Sequence, residues 1–357
     1  MERVFEGLKV VELAAVLAGP AVGLFFAELG ATVVKIENKK TGGDVTRSWR
    51  LPSEKAEAPV SAYYCAINWN KQVLLLDLRE EKDRQQVYDL VKTADVVLAN
   101  FKAGGAAALK MDYSTLKQYN EQLIYGSING FGATSERVAF DVVLQAESGF
   151  MYMNGAPNGP PTKMPVALID ILAAHQLKQG VLVALLQRYK TGKGGHISVS
   201  LLEAAVAALA NQATNWLMAG HVPQRMGSLH PNIAPYGELF TSQDGQQLVL
   251  AIGSNRQFQH LCACLACPEL AANPLYQSNV LRVEHRARLA LALEAAFAAQ
   301  EATPLLARCH AQQVPIGLVR DMKAVFEQPA LRGMILDEEI EGQATKRVRT
   351  AVFKKII

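Results

Sequence analysis

LKVVELAAVLAGPAVGLFFAELGATVVKIE, residues 8–37, is the stretch that decides the fold. Its first residues, 8–13, form a short apolar run with β-branched side chains, which predicts a strand. Gly19-Pro20 then predicts the start of a helix and Gly30 its end, because proline suits a first helical turn and glycine a C-terminal cap. Residues 32–36 predict a second strand. A strand–helix–strand unit of this length implies parallel pairing with a right-handed crossover.

The same alternation continues along the chain. Strands are predicted at 73–78, 94–99, 123–129 and 196–200, and helices at 80–92, 113–120, 170–189 and 201–218. Repeated β/α units predict a doubly wound α/β sheet whose ligands bind beyond the carboxyl ends of the strands.

The pattern changes after a stretch rich in proline, glycine and asparagine. A hairpin is predicted to turn at Asp244-Gly245, and helices follow it. We therefore expect a large domain at 1–205, a linker at 206–224 and a smaller α+β domain at 225–310. The tail, 311–357, is expected to return to the large domain.

The composition is that of a globular enzyme. Of 357 residues, 50% are hydrophobic and 19% are charged, which argues against extensive disorder. The net charge of +3 comes without a basic run long enough to follow a phosphate backbone, so nucleic-acid binding is not expected. No uninterrupted apolar run reaches the roughly 18 residues of a membrane span, and residues 13–27 lack the features of a cleaved signal peptide. A cytoplasmic location is expected.

The five cysteines fit reduced thiols better than a disulfide framework, because their number is odd. Cys262, Cys264 and Cys267 form a cluster close to His260, which raises the question of a metal site. The alternative is a buried amphipathic helix in which cysteine acts as a small hydrophobe. Because paired C-x-x-C spacing is absent, we predict no metal site.

The turn at Gly19 also raises a nicotinamide-dependent oxidoreductase as a competing function. Glu37, at the end of the second strand, imitates the acid that holds a nicotinamide ribose. The G-x-G-x-x-G pattern is absent, however, since this turn offers only Gly19 and Gly23. Residues 191–195 likewise lack the serine or threonine of a phosphate-binding loop. The oxidoreductase is kept as an alternative.

Asp170 stands at the start of the predicted helix 170–189, after the apolar residues 164–169. Aspartate is among the best N-cap residues, so a purely structural cap is one interpretation. A carboxylate at a helix start is also expected to stay ionised, and an ionised carboxylate can attack an acyl carbon. The spacing alone leaves both interpretations open.

An ordered set of motifs runs along the chain. The central motifs are RVAFDVVLQAESG at 137–149, Ile169-Asp170 and LLQRYKTGKG at 185–194. The flanking motifs are LKVVEL at 8–13, LAGP at 17–20, LGATVVKIE at 29–37, Gly43-Asp44 with Arg47, ADVVLANF at 94–101, Pro235-Tyr236 and Asp244-Gly245. Together they resemble the class III CoA-transferases, the CaiB/BaiF family, over nearly the whole chain.

This resemblance implies a Rossmann-like large domain with a smaller α+β domain, in a homodimer of interlocked rings. It also implies that Asp170 is the catalytic nucleophile. Contacts with coenzyme A are implied at Leu17, Ala18, Asn38, Leu76, Asp77, Leu78, Arg79, Asn100, Phe101, Lys102, Asn129, Gly130, Phe131 and Gly132. Coenzyme A would enter as a substrate, with no permanently bound cofactor.

The implied reaction moves CoA from an acyl-CoA donor, such as succinyl-CoA, to a short carboxylic acid, expected to be a dicarboxylic acid. It proceeds through an aspartyl–acyl anhydride and an aspartyl-CoA thioester on Asp170. Glu147 is a candidate for assisting catalysis. Backbone N–H groups at Ala18 and Gly130 are candidates for stabilising the oxyanions.

Two residues are candidates for recognising the acceptor. Arg225 and His230 lie in RMGSLHPNIAP, 225–235, which resembles family members that act on short dicarboxylic acids. Either can meet the distal carboxylate, and arginine forms bidentate pairs with such groups. The alternative is a surface linker without a ligand role.

Two positions depart from the family pattern. A family arginine that meets the CoA diphosphate or adenosine aligns with Asn38, and a second basic residue aligns with Ala108. Lys39, Lys102 and Lys110 are candidates to supply that charge.

The α-methylacyl-CoA racemases of the same family offer an alternative reaction. They need a histidine directly before the aspartate at the position of Asp141. Here that residue is Phe140, which cannot move a proton, so the transferase is preferred.

Overall fold

A computed structural model of the protein describes residues 3–353, which form two compact units. Within the described residues, the first unit comprises 3–151, 163–223 and 332–353, and the second comprises 152–162 and 224–331.

The core of the first unit is a six-stranded sheet in which all strands are parallel. The strands are β1 (Lys9–Leu13), β2 (Thr32–Asn38), β3 (Lys71–Leu76), β4 (Val96–Ala99), β5 (Ile124–Asn129) and β6 (Gly195–Ser200). Their order is β3-β2-β1-β4-β5-β6, which confirms the predicted doubly wound, Rossmann-like α/β fold.

Helices cover both faces of this sheet, as a parallel sheet requires. Up to residue 219 the helices are α1 (Ala18–Glu28), α2 (Ala62–Cys65), α3 (Glu81–Val91), α4 (Gly105–Ala108), α5 (Tyr113–Leu116), α6 (Asp141–Glu147), α7 (Phe150–Met153), α8 (Leu168–Thr191), α9 (Leu201–Ala207) and α10 (Asn211–Ala219). On one face, α1 and α8 bury Val22, Phe26 and Leu177. On the other face, α3 buries Val87 and Val91.

The long helix α8 matches the predicted helix 170–189 but begins earlier, at Leu168. It ends where Gly192 adopts a left-handed backbone with φ 71°. By length and composition it is long and apolar enough to cross a membrane. Core helices pass the same test, and the buried stripe of α8, which includes Ala173 and Val181, packs against β5 and β6.

The prediction of one continuous helix at 201–218 is wrong, because the chain forms α9 and α10 instead. Ser200 caps α9 by accepting the N–H of Glu203. Between the two helices Ala210 adopts φ 47°, which lies outside the right-handed helical region and breaks the helix.

The second unit is built on an antiparallel sheet with the strand order β7-β8-β9. Its strands are β7 (Tyr236–Thr241), β8 (Gln247–Ala251) and β9 (Ile316–Leu318). Its helices are α11 (Asn255–Cys264), α12 (Pro268–Ala272), α13 (Asn279–Glu284), α14 (Arg286–Ala298), α15 (Ala302–Ala311) and α16 (Met322–Phe326). The β7–β8 hairpin turns through Asp244 and Gly245, as predicted. Because β9 pairs with β8, residues 311–331 belong to this unit, beyond the predicted boundary at 310.

The chain returns to the first unit as an antiparallel hairpin, β10 (Ile335–Ile340) and β11 (Gln343–Val348). The buried guanidinium of Arg347 fastens it by pairing with Glu338 on β10 and Glu28 on α1. Glu28 also accepts the backbone N–H of Ala351 at 2.7 Å.

The cysteine cluster lies in the hydrophobic core of the second unit. Cys262, Cys264, Cys267 and Cys309 are all buried there. Within residues 3–353, no group of three or more histidine, cysteine, aspartate or glutamate side chains is arranged to hold a metal ion. The four thiols therefore pack as small hydrophobes among leucine and phenylalanine side chains.

Candidate active site

The strand order reverses at β1, which lies between β2 and β4. In parallel α/β sheets, ligands bind beyond the carboxyl ends of the strands at such a switch point. The loop after β1 (residues 14–17, called the β1–α1 loop below) meets Asn100, the residue after β4, at this edge. The Asn100 side chain accepts the N–H of Ala15 at 3.0 Å and donates to its carbonyl at 2.7 Å.

Two cavities open at this edge, each of about 330 Å³. The first is lined by six of the predicted CoA-binding residues: Asn38, Leu76, Asp77, Leu78, Arg79 and Phe101. The second is lined by Asp170 and by seven predicted CoA-binding residues: Leu17, Ala18, Asn100, Phe101, Lys102, Asn129 and Gly130. Ala15 and Phe101 line both cavities, so the two cavities adjoin.

The remaining predicted contacts, Phe131 and Gly132, shape the turn after β5. Gly132 adopts φ 103° and donates its N–H to Asn129 Oδ1 at 2.7 Å. The ring of Phe131 lies 3.8 Å from the guanidinium carbon of Arg137, which lines the second cavity.

Asp170 is the third residue of α8 and does not cap it, so the interpretation of Asp170 as an N-cap is wrong. The residue at the N-cap position is Ala167, which supplies no side-chain hydrogen bond. Asp141, the first residue of α6, performs this task from a different helix. Its Oδ1 accepts the backbone N–H of Ile169 at 2.7 Å and that of Asp170 at 3.3 Å. The Asp170 carboxyl is therefore left available to the cavity.

Asp141 is itself held in place by the buried side chain of Gln145. Gln145 Nε2 donates to Asp141 Oδ2 at 2.6 Å. Gln145 Oε1 accepts the N–H of Met164 at 2.8 Å. This amide therefore joins α6 to the segment that leads into α8, and it fixes the carboxylate that orients the first turn of α8.

The surroundings of Asp170 favour its protonated form. Burial, and secondly the negative charge of Asp141, raises the pKa of Asp170 to about 7. The expectation that the helix start keeps this carboxylate ionised left out its burial, which works against the charged form. Burial also raises the pKa of Tyr63, and the next cause is the charge of Asp170, so Tyr63 lies within electrostatic reach of the same cavity.

Glu147, predicted to assist Asp170, pairs with Arg137 instead of standing free. The Arg137 hydrogen bond, followed by its positive charge, holds the pKa of the exposed Glu147 below its usual range. Glu147 thus positions a cation that lines the second cavity. A direct catalytic task for Glu147 stays a prediction.

Arg79, a predicted contact, brings a positive charge to the lining of the first cavity, and Lys40 adds a second one through its ion pair with the lining residue Asp77. Lys40 Nζ lies 2.7 Å from Asp77 Oδ2. The Asn38 side chain, expected to meet CoA, accepts the backbone N–H of Lys40 at 3.0 Å and so fixes the turn that carries this lysine.

Arg225 and His230 lie in the second unit and make internal contacts there. Arg225 donates to the carbonyls of Gly159 at 3.1 Å and Tyr152 at 2.8 Å, which ties 152–162 to the main part of that unit. His230 Nδ1 accepts the N–H of Asn232 at 3.1 Å. Their predicted task in substrate binding stays a prediction.

Three residues of the motif 137–149 were not predicted as site residues: Arg137, which lines the second cavity, Asp141, which bonds the start of α8, and Gln145, which holds Asp141. The one sequence feature that could have identified these three residues was the motif that they share. Their task depends on tertiary contacts that spacing does not show, because Asp141 caps a helix that lies far along the chain. Asp44 was missed in the same way, since its contact with the β1–α1 loop joins distant residues.

Comparison with known proteins agrees with the geometry. The model of CoA-transferase family III matches residues 5–354. The chain is 38% identical to the succinate–glutarate CoA-transferase of Agrobacterium fabrum, covering 97% of this chain and 88% of that protein. It is 34% identical to the human succinyl-CoA:glutarate CoA-transferase, covering 94% of this chain and 76% of that protein.

A solved structure agrees as well. The crystal structure of a CaiB/BaiF family protein from Brucella suis matches with a TM-score of 0.88 and 38% identity, covering 99% of this chain and 93% of that chain. The resemblance found in the motifs is thereby confirmed. The chain belongs to CoA-transferase family III and is a CoA-transferase.

Proposed function

We propose that this enzyme moves CoA from succinyl-CoA, or a closely related donor, to a short dicarboxylic acid through covalent intermediates on Asp170. One observation carries the proposal. Asp170 is the single carboxylate among the described residues that line the second cavity, and this cavity shares Ala15 and Phe101 with the first cavity. The thioester end of CoA would lie at Asp170 and the adenosine end in the first cavity.

The first half of the proposed reaction releases the donor acid. The ionised Asp170 carboxylate attacks the thioester carbonyl, so a C–O bond forms, the C–S bond breaks, and CoA leaves as a thiolate. The thiolate then attacks the aspartyl carbonyl of the mixed anhydride. This gives an aspartyl-CoA thioester and the free donor acid, which carries away one oxygen atom of Asp170.

The second half repeats these steps with the acceptor. The acceptor carboxylate attacks the aspartyl-CoA thioester and expels the CoA thiolate, which leaves a second mixed anhydride. The thiolate attacks the acceptor carbonyl of this anhydride, so acyl-CoA forms and Asp170 is regenerated as a carboxylate. One oxygen atom of the acceptor remains on Asp170.

The start of α1 is suited to stabilise the oxyanions that form in these steps. The first N–H groups of a helix have no acceptor within the helix, and α1 begins at Ala18, which lines the second cavity. Gly130 lines the same cavity, and a Cβ added there would lie 2.1 Å from the Cβ of Ala139, so only glycine fits. Exclusion of water protects the anhydride from hydrolysis.

The acceptor is proposed to be a dicarboxylate for two reasons. Proteins similar to this chain are named as transferases of succinate, glutarate and mesaconate. Arg137 also brings a cation to the second cavity, where its guanidinium is held by Glu147 and by the ring of Phe131. One edge of this guanidinium is available for the distal carboxylate of an acceptor.

A racemase is disfavoured because Phe140, a side chain that cannot move a proton, lines the cavity beside Asp170.

A cytoplasmic homodimer is part of the proposal. Large apolar side chains on α8 and α10 face away from the first unit's core, among them Leu186, Leu217 and Met218. A second copy of the chain would cover them.

Replacement of the nucleophile tests the proposal. We expect Asp170→Asn to lower CoA transfer from succinyl-CoA to glutarate by more than about 10³-fold, because no anhydride can form. The measurement is formation of glutaryl-CoA by mass spectrometry, with intact folding checked by calorimetry. A folded Asp170→Asn variant that transfers CoA at the wild-type rate would exclude the covalent route.

The neighbouring charge sets the pH dependence. In the wild type we expect kcat/KM to rise with pH through about 7, because the nucleophile must lose its proton. Asp141→Asn removes a negative charge that raises this pKa, so the rising limb should move to lower pH. Glu136→Gln, which removes an exposed charge, is the control and should leave the limb in place. A limb unmoved in Asp141→Asn would contradict this assignment.

The dicarboxylate site is tested by the choice of acceptor. We expect Arg137→Ala to raise KM for glutarate about 10- to 100-fold, the loss of one charge-assisted pair, and to change KM for a monocarboxylic acceptor less than about threefold. Arg225→Ala is the matched comparison. If Arg225→Ala instead produces the selective increase, the distal carboxylate binds in the second unit and the assignment to Arg137 is wrong.

A further inference from the structure

Val16, in the β1–α1 loop, has a backbone conformation that its side chain opposes. Its φ is 72°, in the left-handed region. A β-branched residue rarely adopts this region, because its side chain crowds the backbone there. Strain of this kind persists only where the surrounding structure enforces it, and it concentrates at functional sites.

Three side chains from separate elements enforce it, each acting on a different residue of the loop. Lys35 on β2 donates to the carbonyl of Ala14 at 2.9 Å. Asn100 bonds both the N–H and the carbonyl of Ala15. Asp44 accepts the N–H of Val16 at 3.1 Å. We call Lys35, Asn100 and Asp44 the loop clamp.

The clamp is built into a cluster of four buried charges. Lys35 Nζ lies 3.0 Å from both Glu12 and Asp44, and Lys71 Nζ lies 2.9 Å from Glu12. All four side chains have no exposed surface. Burying ions is costly, and apolar side chains of the same volume often give equal stability, so stability alone does not account for the cluster.

The position of the β1–α1 loop beside both cavities explains why the charge cluster is present. Ala15 lines both cavities, and Val16, Leu17 and Ala18 line the cavity that contains Asp170. The chain direction at Val16 therefore sets where the first N–H groups of α1 lie relative to the reacting carbon.

We propose that the loop clamp is a positioning device for the chemical step: Lys35, Asp44 and Asn100 hold the β1–α1 loop in its strained form beside Asp170. This inference rests on the proposed function for its catalytic consequence. In this proposal Asn100 acts on catalysis through the loop, because its amide oxygen and nitrogen each bond the backbone of Ala15.

The test combines Asn100→Ala with two replacements of Val16. Glycine adopts left-handed backbone readily, whereas alanine does not, so Val16→Gly and Val16→Ala form a matched pair. We expect Asn100→Ala to lower kcat at least about tenfold and to leave KM for succinyl-CoA within about twofold. Adding Val16→Gly should recover part of kcat, and adding Val16→Ala should not.

Two kinetic outcomes would overturn the proposal. The first is an increase in KM for succinyl-CoA with unchanged kcat in Asn100→Ala, because this indicates a direct CoA contact. The second is equal kcat in the two double variants, because release of backbone strain would then have no bearing on catalysis.

Calorimetry separates this inference from the proposed function. If the wild type transfers no CoA, the proposed function fails, but melting temperatures still decide the role of the clamp. We expect Val16→Gly to melt above Val16→Ala when Asn100 is present, and the difference to shrink by about half or more in Asn100→Ala. A difference that is unchanged by the loss of Asn100 would show that Asn100 does not hold the loop.

Discussion

Four buried charges beneath the first crossover govern the edge of the sheet where the active site lies. Glu12 and Lys35 lie on β1 and β2, and Lys71 begins β3, so the cluster ties three neighbouring strands together. Burial works against the ammonium group of Lys35, yet Glu12 and Asp44 outweigh it and raise its pKa. Removal of one partner would leave an uncompensated buried charge, which costs about 3–5 kcal/mol.

The same cluster explains why α1 packs so closely against the strands that carry these charges. A Cβ added to Gly23 would lie 1.8 Å from Glu12 Oε2, so any larger residue here would displace a buried carboxylate that Lys71 holds. Lys71 also donates to the carbonyl of Pro20 at 2.9 Å, in the first turn of α1. Two contacts therefore fix the start of α1, which lines the Asp170 cavity. One is the hydrogen bond from the Lys71 ammonium group, and the other is the covalent link to the β1–α1 loop.

A second constraint acts on the first turn of α8, which carries Asp170. Asp141 caps α8 from another helix, and its charge also raises the pKa of Asp170. One carboxylate therefore orients the helix turn that carries Asp170 and raises the pKa of Asp170. A poised carboxyl group suits the proposed mechanism, in which Asp170 alternates between an ionised nucleophile and a neutral acyl group.

The hydrophobic pattern of the sequence predicted the elements whose structure depends on neighbouring residues. Every predicted strand of the parallel sheet is present within two residues, because short β-branched runs bounded by turns have few alternative structures. The break at Ala210 was missed, since an alanine-rich sequence favours an unbroken helix and nothing local indicates φ 47°. The pairing of β9 with β8 was missed because long-range contacts decide it.

The candidate site also contains residues that the sequence predicted and contacts that it did not predict. The family resemblance identified Asp170 and twelve further residues that line the two cavities. It did not reveal that Asp141 supplies the cap, that Asn100 is engaged by Ala15, or that Arg137 is the cation beside Glu147. Each of these contacts joins side chains from separate elements, so only the folded chain brings the partners together.

The central claim is that Asp170 carries the acyl group as an anhydride, and isotope transfer tests it most directly. The enzyme would turn over succinyl-CoA with glutarate labelled with ¹⁸O in its carboxylates. The mass of the proteolytic peptide that contains Asp170 would then be measured. The account predicts that Asp170 acquires ¹⁸O, about 2 Da for each labelled atom, because the acceptor leaves one oxygen behind. Formation of glutaryl-CoA with no label on Asp170 would contradict it.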